Sequence, residues 1–260
     1  MPGQLQQRVI LETSSHGRAL MVRCHAGGGL PYAHVTRGDA LSYRGLILDF
    51  GGVLTTRMRL NGEAFERSEG LTPGAYFHAL EENPDGVRVY ADLEVGRATQ
   101  EEWNHVIGGI LGVDPTDLMR RALANLRPEP AIVAAAERAR AAGIKVAMLS
   151  NSFGLEPFNP YTEPGMYQGF DAMVLSEVER VRKPSTAIYQ RTLDALDLTG
   201  PECVFVDDHA KNLPPAEALG ITTIHHTDAA VTAARLDELL FQTATRTATQ
   251  RAERQRGAPA

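Results

Sequence analysis

Asp49 ends an apolar run, Leu46, Ile47 and Leu48, and is followed at once by Phe50, Gly51 and Gly52. A carboxylate delivered by a buried segment, with glycines after it where the backbone can turn tightly or approach a ligand, has the setting of a nucleophile or a metal ligand. Two further apolar runs end on polar groups. Residues 144–149 lead to Ser150 and Asn151, and residues 203–206 lead to Asp207 and Asp208. Lys183, just before Pro184, adds a cation. Carboxylates brought together from distant segments repel one another unless a positive charge lies between them. One or two carboxylates, with water completing the shell, are what Mg²⁺ prefers. Asp49, Asp207 and Asp208 are therefore expected around a magnesium ion, with Asp208 as the direct ligand and Asp207 acting through water or orienting its neighbours, or with these two roles exchanged. The metal and Lys183 would supply positive charge, and Ser150, Asn151 and backbone N–H groups such as that of Gly52 would supply donors. That combination suits a phosphoryl group. Asp49 is left with one oxygen for the metal and one free to attack phosphorus.

Such groups meet only if their runs are strands of one parallel sheet, whose carboxyl edge is where ligands bind. The order of elements supports this. A helix over 128–142, closed by Gly143, precedes the strand 144–149. A strand over 170–175 and an extended stretch over 177–183 lead to a helix at 185–196. The strand 203–206 is followed by a helix over 212–219, capped by Gly220, then by a strand over 221–224 and a helix over 229–241. Strand and helix thus alternate from 128 to 226, the signature of a parallel sheet with right-handed crossovers. Residues 153–169, rich in proline and glycine, read as a long irregular loop. His225 and His226 should point to opposite faces and share no metal, His209 reads as a solvated loop residue, and Asn212 as a helix cap or a brace for the acidic loop.

Between the first strand and residue 128 the pattern is helical, with helices expected over 73–82, 99–111 and 115–126. Thr99 and Glu102 form a capping box, and Asp114 before Pro115 marks a start. Trp103 is expected as a core anchor and His105 on the surface. The organisation read here is an α/β protein: a Rossmann-like parallel sheet core of residues 44–55 and 128–241, with a small helical cap, 56–127, inserted. Residues 1–43 read as poorly organised apart from a short strand over 8–11, and 242–260 as a disordered tail.

The chain of 260 residues has 26 Lys plus Arg against 32 Asp plus Glu, a net charge of −6. With no basic run interleaved with aromatics, nucleic acid is not an expected partner. No apolar stretch approaches the roughly 18 residues of a membrane span, so none is expected. Cys24 and Cys203 form no CxxC pair, which argues against a disulfide framework or thiolate zinc and for a cytoplasmic protein. The expected partner is a small phosphorylated molecule; nothing in the sequence fixes an oligomeric state.

Taken together, Asp49 to Leu54, Ser150 with Asn151, Lys183 with Pro184, and Asp207 with Asp208 resemble, in order, the four motifs of the haloacid dehalogenase-like superfamily. The stretch from Arg182, Lys183 and Pro184 through Ile188, Tyr189, Leu193 and Leu196 to Val204, Phe205, Val206, Asp207, Asp208, Asn212, Ala218, Leu219 and Gly220 is similar above all to the N-terminal phosphatase domain of soluble epoxide hydrolases and its bacterial relatives. The resemblance implies a helical cap between the first two motifs and an aspartyl-phosphate intermediate on Asp49. Phosphatases of the family normally carry a second aspartate two residues after the nucleophile, as acid for the leaving group and then base for water. Gly51 stands there instead. Its carbonyl can still bind magnesium, since that contact needs no side chain, but proton transfer is another matter, leaving activity low, limited to esters with good leaving groups, served by another group such as His209, or absent. Two rivals follow: a metal-independent dehalogenase in which Asp49 attacks carbon, and a catalytically weak protein that binds phosphate and metal.

Overall fold

The computed structural model describes residues 10–13, 20–23, 43–163 and 165–242. Near the N-terminus, β1 (Ile10–Thr13) and β2 (Leu20–Arg23) pair antiparallel, with Ile10 opposite Arg23 and Thr13 opposite Leu20. The expectation of one short strand over 8–11 is thereby corrected to a hairpin. The remaining expectations for 1–42 and for the tail beyond 242 lie outside the described residues.

Residues 43–242 form a compact unit around a five-stranded parallel sheet. Its strands are β3 (Gly45–Leu48), β4 (Lys145–Ser150), β5 (Ala172–Leu175), β6 (Cys203–Asp207) and β7 (Thr222–His225), in the order β5-β4-β3-β6-β7. Leu48 pairs with Met148 on one side and Val206 on the other, so the ends of the three central strands lie level. The chain builds outward from β3 in one direction and then crosses to the other, which places the carboxyl end of β3 at the topological switch where open sheets bind ligands.

The central strands read as unbroken apolar runs because both their faces are buried. Leu46, Leu48, Val146, Met148, Val204 and Val206 face one core layer with Ile132, Ala135, Ala136 and Ala139 of α6 (Pro130–Ala141) and Leu236 of α10 (Ala229–Asp237). The alternate residues Ile47, Ala147, Leu149 and Phe205 face the other layer with Ile188, Tyr189 and Leu193 of α8 (Thr186–Leu196) and Ala216 of α9 (Leu213–Glu217). Side chains alternating at a period of two produce this division.

Five helices are inserted between β3 and α6: α1 (Met58–Glu69), α2 (Ala75–Glu81), α3 (Pro84–Glu94), α4 (Gln100–Leu111) and α5 (Leu118–Ala122). The two connecting segments are stitched together. Thr56 N–H donates to Arg127 C=O at 2.8 Å and Glu129 N–H to Leu54 C=O at 2.8 Å. Buried polar side chains organise the insertion by satisfying backbone groups that helix ends leave unpaired. Glu66 accepts from Gly74 N–H at 3.0 Å and Tyr76 N–H at 2.9 Å, and so holds the start of α2. The Gln100 amide spans to the core: it donates to Phe153 C=O at 2.9 Å and Phe158 C=O at 2.6 Å, and accepts from Phe158 N–H at 3.1 Å. One side chain thereby fastens the 153–158 loop to α4.

Several expectations need correction. α1 and α3 lie where no helix was expected, and each carries an internal glycine. A Cβ on Gly86 would stand 1.8 Å from Ala79 C=O, so this glycine permits two helices to meet rather than breaking one. The expected helix over 115–126 shortens to Leu118–Ala122, because Asp114 accepts from Thr116 N–H in a turn and Asp117 adopts positive φ. The extended stretch after β5 opens with a helical turn, α7 (Ser176–Glu179), and ends on Arg180 at positive φ.

Candidate active site

β3 releases the chain into one wide turn, Phe50–Leu54, closed by Leu54 N–H to Asp49 C=O at 3.2 Å and Thr55 N–H to Phe50 C=O at 3.1 Å. Asp49 is therefore the last residue before the turn, at the switch point of the sheet. Its Oδ1 accepts from Phe50 N–H at 2.7 Å and lies 2.8 Å from Lys183 Nζ. No hydrogen bond from the described residues reaches its Oδ2. Lys183 is almost wholly buried, and its ammonium bridges Asp49 and Asp207, lying 2.7 Å from Asp207 Oδ2.

Asp207 has spent its oxygens. Besides Lys183 it accepts from Asn212 Nδ2 at 2.9 and 3.0 Å and from His209 N–H at 2.8 Å. Its partners are all groups of the chain itself, Asn212 with two of the contacts among them. Asp208 stands differently. Its Oδ1 lies 2.6 Å from His209 Nδ1, and its Oδ2 lies directly over the turn after Asp49, where a Cβ on Gly52 would come within 2.6 Å of it. Gly52 also has φ of +80°. Both observations require glycine. Gly52→Ala should cost at least about 1–2 kcal/mol from the left-handed conformation alone and displace Asp208 as well, read as a lower urea midpoint. Gly51, at φ −71°, carries no such conformational penalty.

Asn151 brackets the backbone of Lys183: its Oδ1 accepts from Lys183 N–H at 2.9 Å and its Nδ2 donates to Lys183 C=O at 3.2 Å. Only the second amide hydrogen remains for a ligand. Ser150 Oγ lies 3.0 Å from Asn151 C=O and 3.2 Å from the Tyr161 hydroxyl. Tyr161, from the 153–169 loop, is a site residue that sequence reasoning missed, since nothing in an irregular stretch marks which aromatic folds back. Arg182 is another; it pairs with buried Glu94 of α3 and ties the insertion to the Lys183 loop. His225 and His226 take separate partners, Asp208 C=O and Thr232 Oγ1.

Burial pushes the Asp49 carboxyl up to about 7, with Asp207 and Asp208 adding to the rise and Lys183 opposing it. Burial works to lower Lys183, yet Asp49 and Asp207 together hold it above its ordinary value. The hydrogen bond to Asp208 raises His209. Two carboxylates thus share one buried ammonium while Asp208, paired with His209, adds to the negative charge around Asp49, and a surplus of negative charge is of the kind a divalent cation makes good. Asp49 and Asp208 each keep an oxygen that no hydrogen bond from the described residues reaches, Gly51 offers a carbonyl, and hard oxygen donors of this kind are what magnesium takes. Asp207, Asp208 and His209 also offer ligand atoms within 4.8 Å of one another, but the prior engagement of Asp207 makes that the weaker set.

A cavity of about 530 Å³ opens over this edge. Asp49, Gly51, Ser150, Asn151, Lys183 and His209 line its floor, and the insertion helices line its walls. Among the described residues, no helix is long and apolar enough to cross a membrane.

Comparison with known proteins accords with this arrangement. The sesquiterpene phosphatase astK of Aspergillus oryzae is 26% identical over 155 residues, covering 58% of this chain and 79% of that protein. The acyl-CoA dehydrogenase family member 10 of Mus musculus is 28% identical over 205 residues, covering 76% of this chain but only 19% of that much longer protein. A HAD family enzyme of Bacteroides thetaiotaomicron, solved as a complex with magnesium and inorganic phosphate, superposes with a TM-score of 0.53 at 21% identity, over 71% of this chain and 94% of that one. The family model for haloacid dehalogenase-like hydrolases matches residues 43–220, which include the sheet edge, the insertion and every candidate site residue, and the chain belongs to that family.

Proposed function

We propose that the protein is a Mg²⁺-dependent phosphomonoesterase working through an aspartyl-phosphate on Asp49. One observation carries this reading: a buried ammonium on Lys183 holds Asp49 and Asp207 together at the floor of a cavity, with an oxygen of Asp208 over the turn that follows Asp49. The Phe50 N–H and Lys183 fix Oδ1 of Asp49 and leave Oδ2 to attack in line. The Oδ2–phosphorus bond forms as the bond from phosphorus to the ester oxygen breaks, and the departing oxygen takes its proton from water or from His209, which lines the same floor. Water then attacks phosphorus, orthophosphate departs and the Asp49 carboxylate is restored. Lys183, Ser150, the remaining Asn151 amide hydrogen and the Gly52 N–H neutralise or bind the phosphoryl oxygens. Magnesium, held by Asp49, Asp208 and the Gly51 carbonyl, would supply the charge stabilisation that one lysine leaves incomplete. The Aspergillus relative, named as a phosphatase, and the magnesium and phosphate bound by the Bacteroides enzyme support the reading. The Asp207 and Asp208 pair weighs against a dehalogenase, because extra carboxylates repel a carboxylate substrate. A cytoplasmic setting, which rests on the two cysteines of the sequence, is part of the same proposal.

Hydrolysis of p-nitrophenyl phosphate with magnesium and then with chelator tests this. Turnover lost on chelation and regained on adding magnesium is the expected result. Halide release from a haloacid without magnesium would replace the phosphatase with the dehalogenase. Tight magnesium and phosphate binding without turnover would leave a binding protein, the reading that Gly51 favours.

A further inference from the structure

Tyr161 is a buried titratable group that the proposed reaction does not use. Its ring packs edge-on against Phe50, the residue after Asp49, with centroids 4.6 Å apart. Its backbone is held from both sides, the N–H donating to Asn159 Oδ1 at 3.1 Å and the C=O accepting from Gln168 Nε2 at 2.8 Å. The ring is therefore placed without help from the hydroxyl. That hydroxyl lies between two serines, 3.2 Å from Ser150 Oγ and 3.5 Å from Ser152 Oγ. Ser152 Oγ in turn donates to Glu177 Oε2 at 3.0 Å. Burial pushes the Tyr161 hydroxyl up to about 12, so it holds its hydrogen at neutral pH.

One hydrogen on each hydroxyl fixes the direction of this chain of contacts. The Glu177 carboxylate only accepts, so the Ser152 hydrogen is committed to it, and Ser152 presents lone pairs alone to Tyr161. Ser150 Oγ donates to Asn151 C=O at 3.0 Å, a neutral acceptor that a charged phosphoryl oxygen outcompetes. Once the Ser150 hydrogen points at a phosphoryl oxygen it cannot also serve Tyr161, and the 3.2 Å contact survives only with Tyr161 as donor. Of the two acceptors open to Tyr161, Ser150 is the nearer, and such bonds weaken as they lengthen beyond about 3.0 Å. We propose that Tyr161 is a positioning residue for the phosphoryl site: its hydroxyl donates to Ser150 Oγ, fixing that oxygen and leaving its hydrogen for a phosphoryl oxygen. Donation into a hydroxyl also polarises it and makes it the better donor. The proposal rests on the phosphatase reading above for what Ser150 binds, and it makes Ser152 a competitor for the Tyr161 hydrogen.

Variants of the full chain test it, with p-nitrophenyl phosphate at saturating magnesium. Tyr161→Phe keeps the ring against Phe50 and should lower kcat/KM roughly five- to tenfold. In a Ser150→Ala background the same change should move kcat/KM by less than about twofold, because its effect passes through Ser150 Oγ. Ser152→Ala removes the competing acceptor and should leave kcat/KM at or above the wild-type value. No loss in Tyr161→Phe, the same loss in both backgrounds, or a Ser152→Ala variant that falls as far as Tyr161→Phe would overturn the proposal. The last two results would show that the hydroxyls merely hold the 153–169 loop. If Tyr161→Phe does not fold, Ser152→Ala alone decides. The same cycle, read as calorimetric binding of inorganic phosphate in magnesium, needs no turnover. Binding that follows the cycle while no ester is hydrolysed would remove the phosphatase and keep the role of Tyr161. Turnover with equal losses in both backgrounds would do the reverse, and neither binding nor turnover in the wild type would overturn both.

Discussion

Asp49→Asn should abolish turnover, by about 10⁴-fold or more, as expected when a covalent nucleophile is removed, and should leave the fold intact. An asparagine oxygen can keep both contacts now made by Oδ1, from Phe50 N–H and Lys183, and the amide nitrogen then occupies the place of the attacking oxygen. Loss of folding is not expected, since the variant removes one of three crowded carboxylates and leaves Lys183 paired with Asp207. The sign of the pH dependence separates this from a general loss of structure. A buried carboxyl raised from 3.8 to about 7 binds protons more tightly in the folded state. It therefore withdraws stability as pH rises from about 4 to about 7, on the order of a few kcal/mol, and contributes nothing below that window. In chelator, urea midpoints of the wild type should fall across the window, and those of Asp49→Asn should fall less. Substantial phosphatase activity in the variant would sink the nucleophile assignment.

That prediction rests on a residue readable in the sequence, because burying β3, β4 and β6 on both faces forces each into an apolar run, and chemistry at the carboxyl edge forces each run to stop on a polar group. The same logic exposed Ser150, Asn151, Asp207 and Asp208. Lys183 was legible for another reason: it fell between two strands in the position the family motif requires. The division of labour within the acidic pair was weaker in the sequence, since adjacent aspartates look alike. It emerges only from partners far along the chain, Asp207 held by Lys183 and Asn212 and Asp208 lodged over Gly52. The insertion was the least legible part. α1 and α3 carry internal glycines that argue against helix locally, and close helix packing at Gly86 overrides that argument. The cavity had no signature at all, being assembled from single side chains of five short helices whose faces no periodicity names.

Gly51→Asp should raise activity, and the size of the gain should depend on the leaving group. Position 51 lines the cavity two residues after Asp49, where family phosphatases carry their acid, and its backbone at φ −71° and ψ 117° accepts any L residue. A Cβ there would meet the Met58 side chain at 3.2 Å and Phe153 at 3.6 Å. Met58 is half-buried and flexible, so it can yield by the few tenths of an ångström required. The new carboxyl would share a pocket with Asp49, and like charges disfavour its ionisation. A carboxyl kept protonated near neutral pH is what the departure of an alcohol calls for. Positioned acid–base catalysis is typically worth about 10²–10⁴-fold, and an increase of that order is expected for a simple alkyl phosphate, whose alkoxide cannot leave without a proton. p-Nitrophenolate leaves unaided, so p-nitrophenyl phosphate should gain much less. Equal gains on both esters would point to better binding rather than to an acid. Unchanged rates on both, with a normal urea midpoint, would mean that another group, His209 foremost since it lines the same floor and is already raised by Asp208, carries the proton in the natural protein.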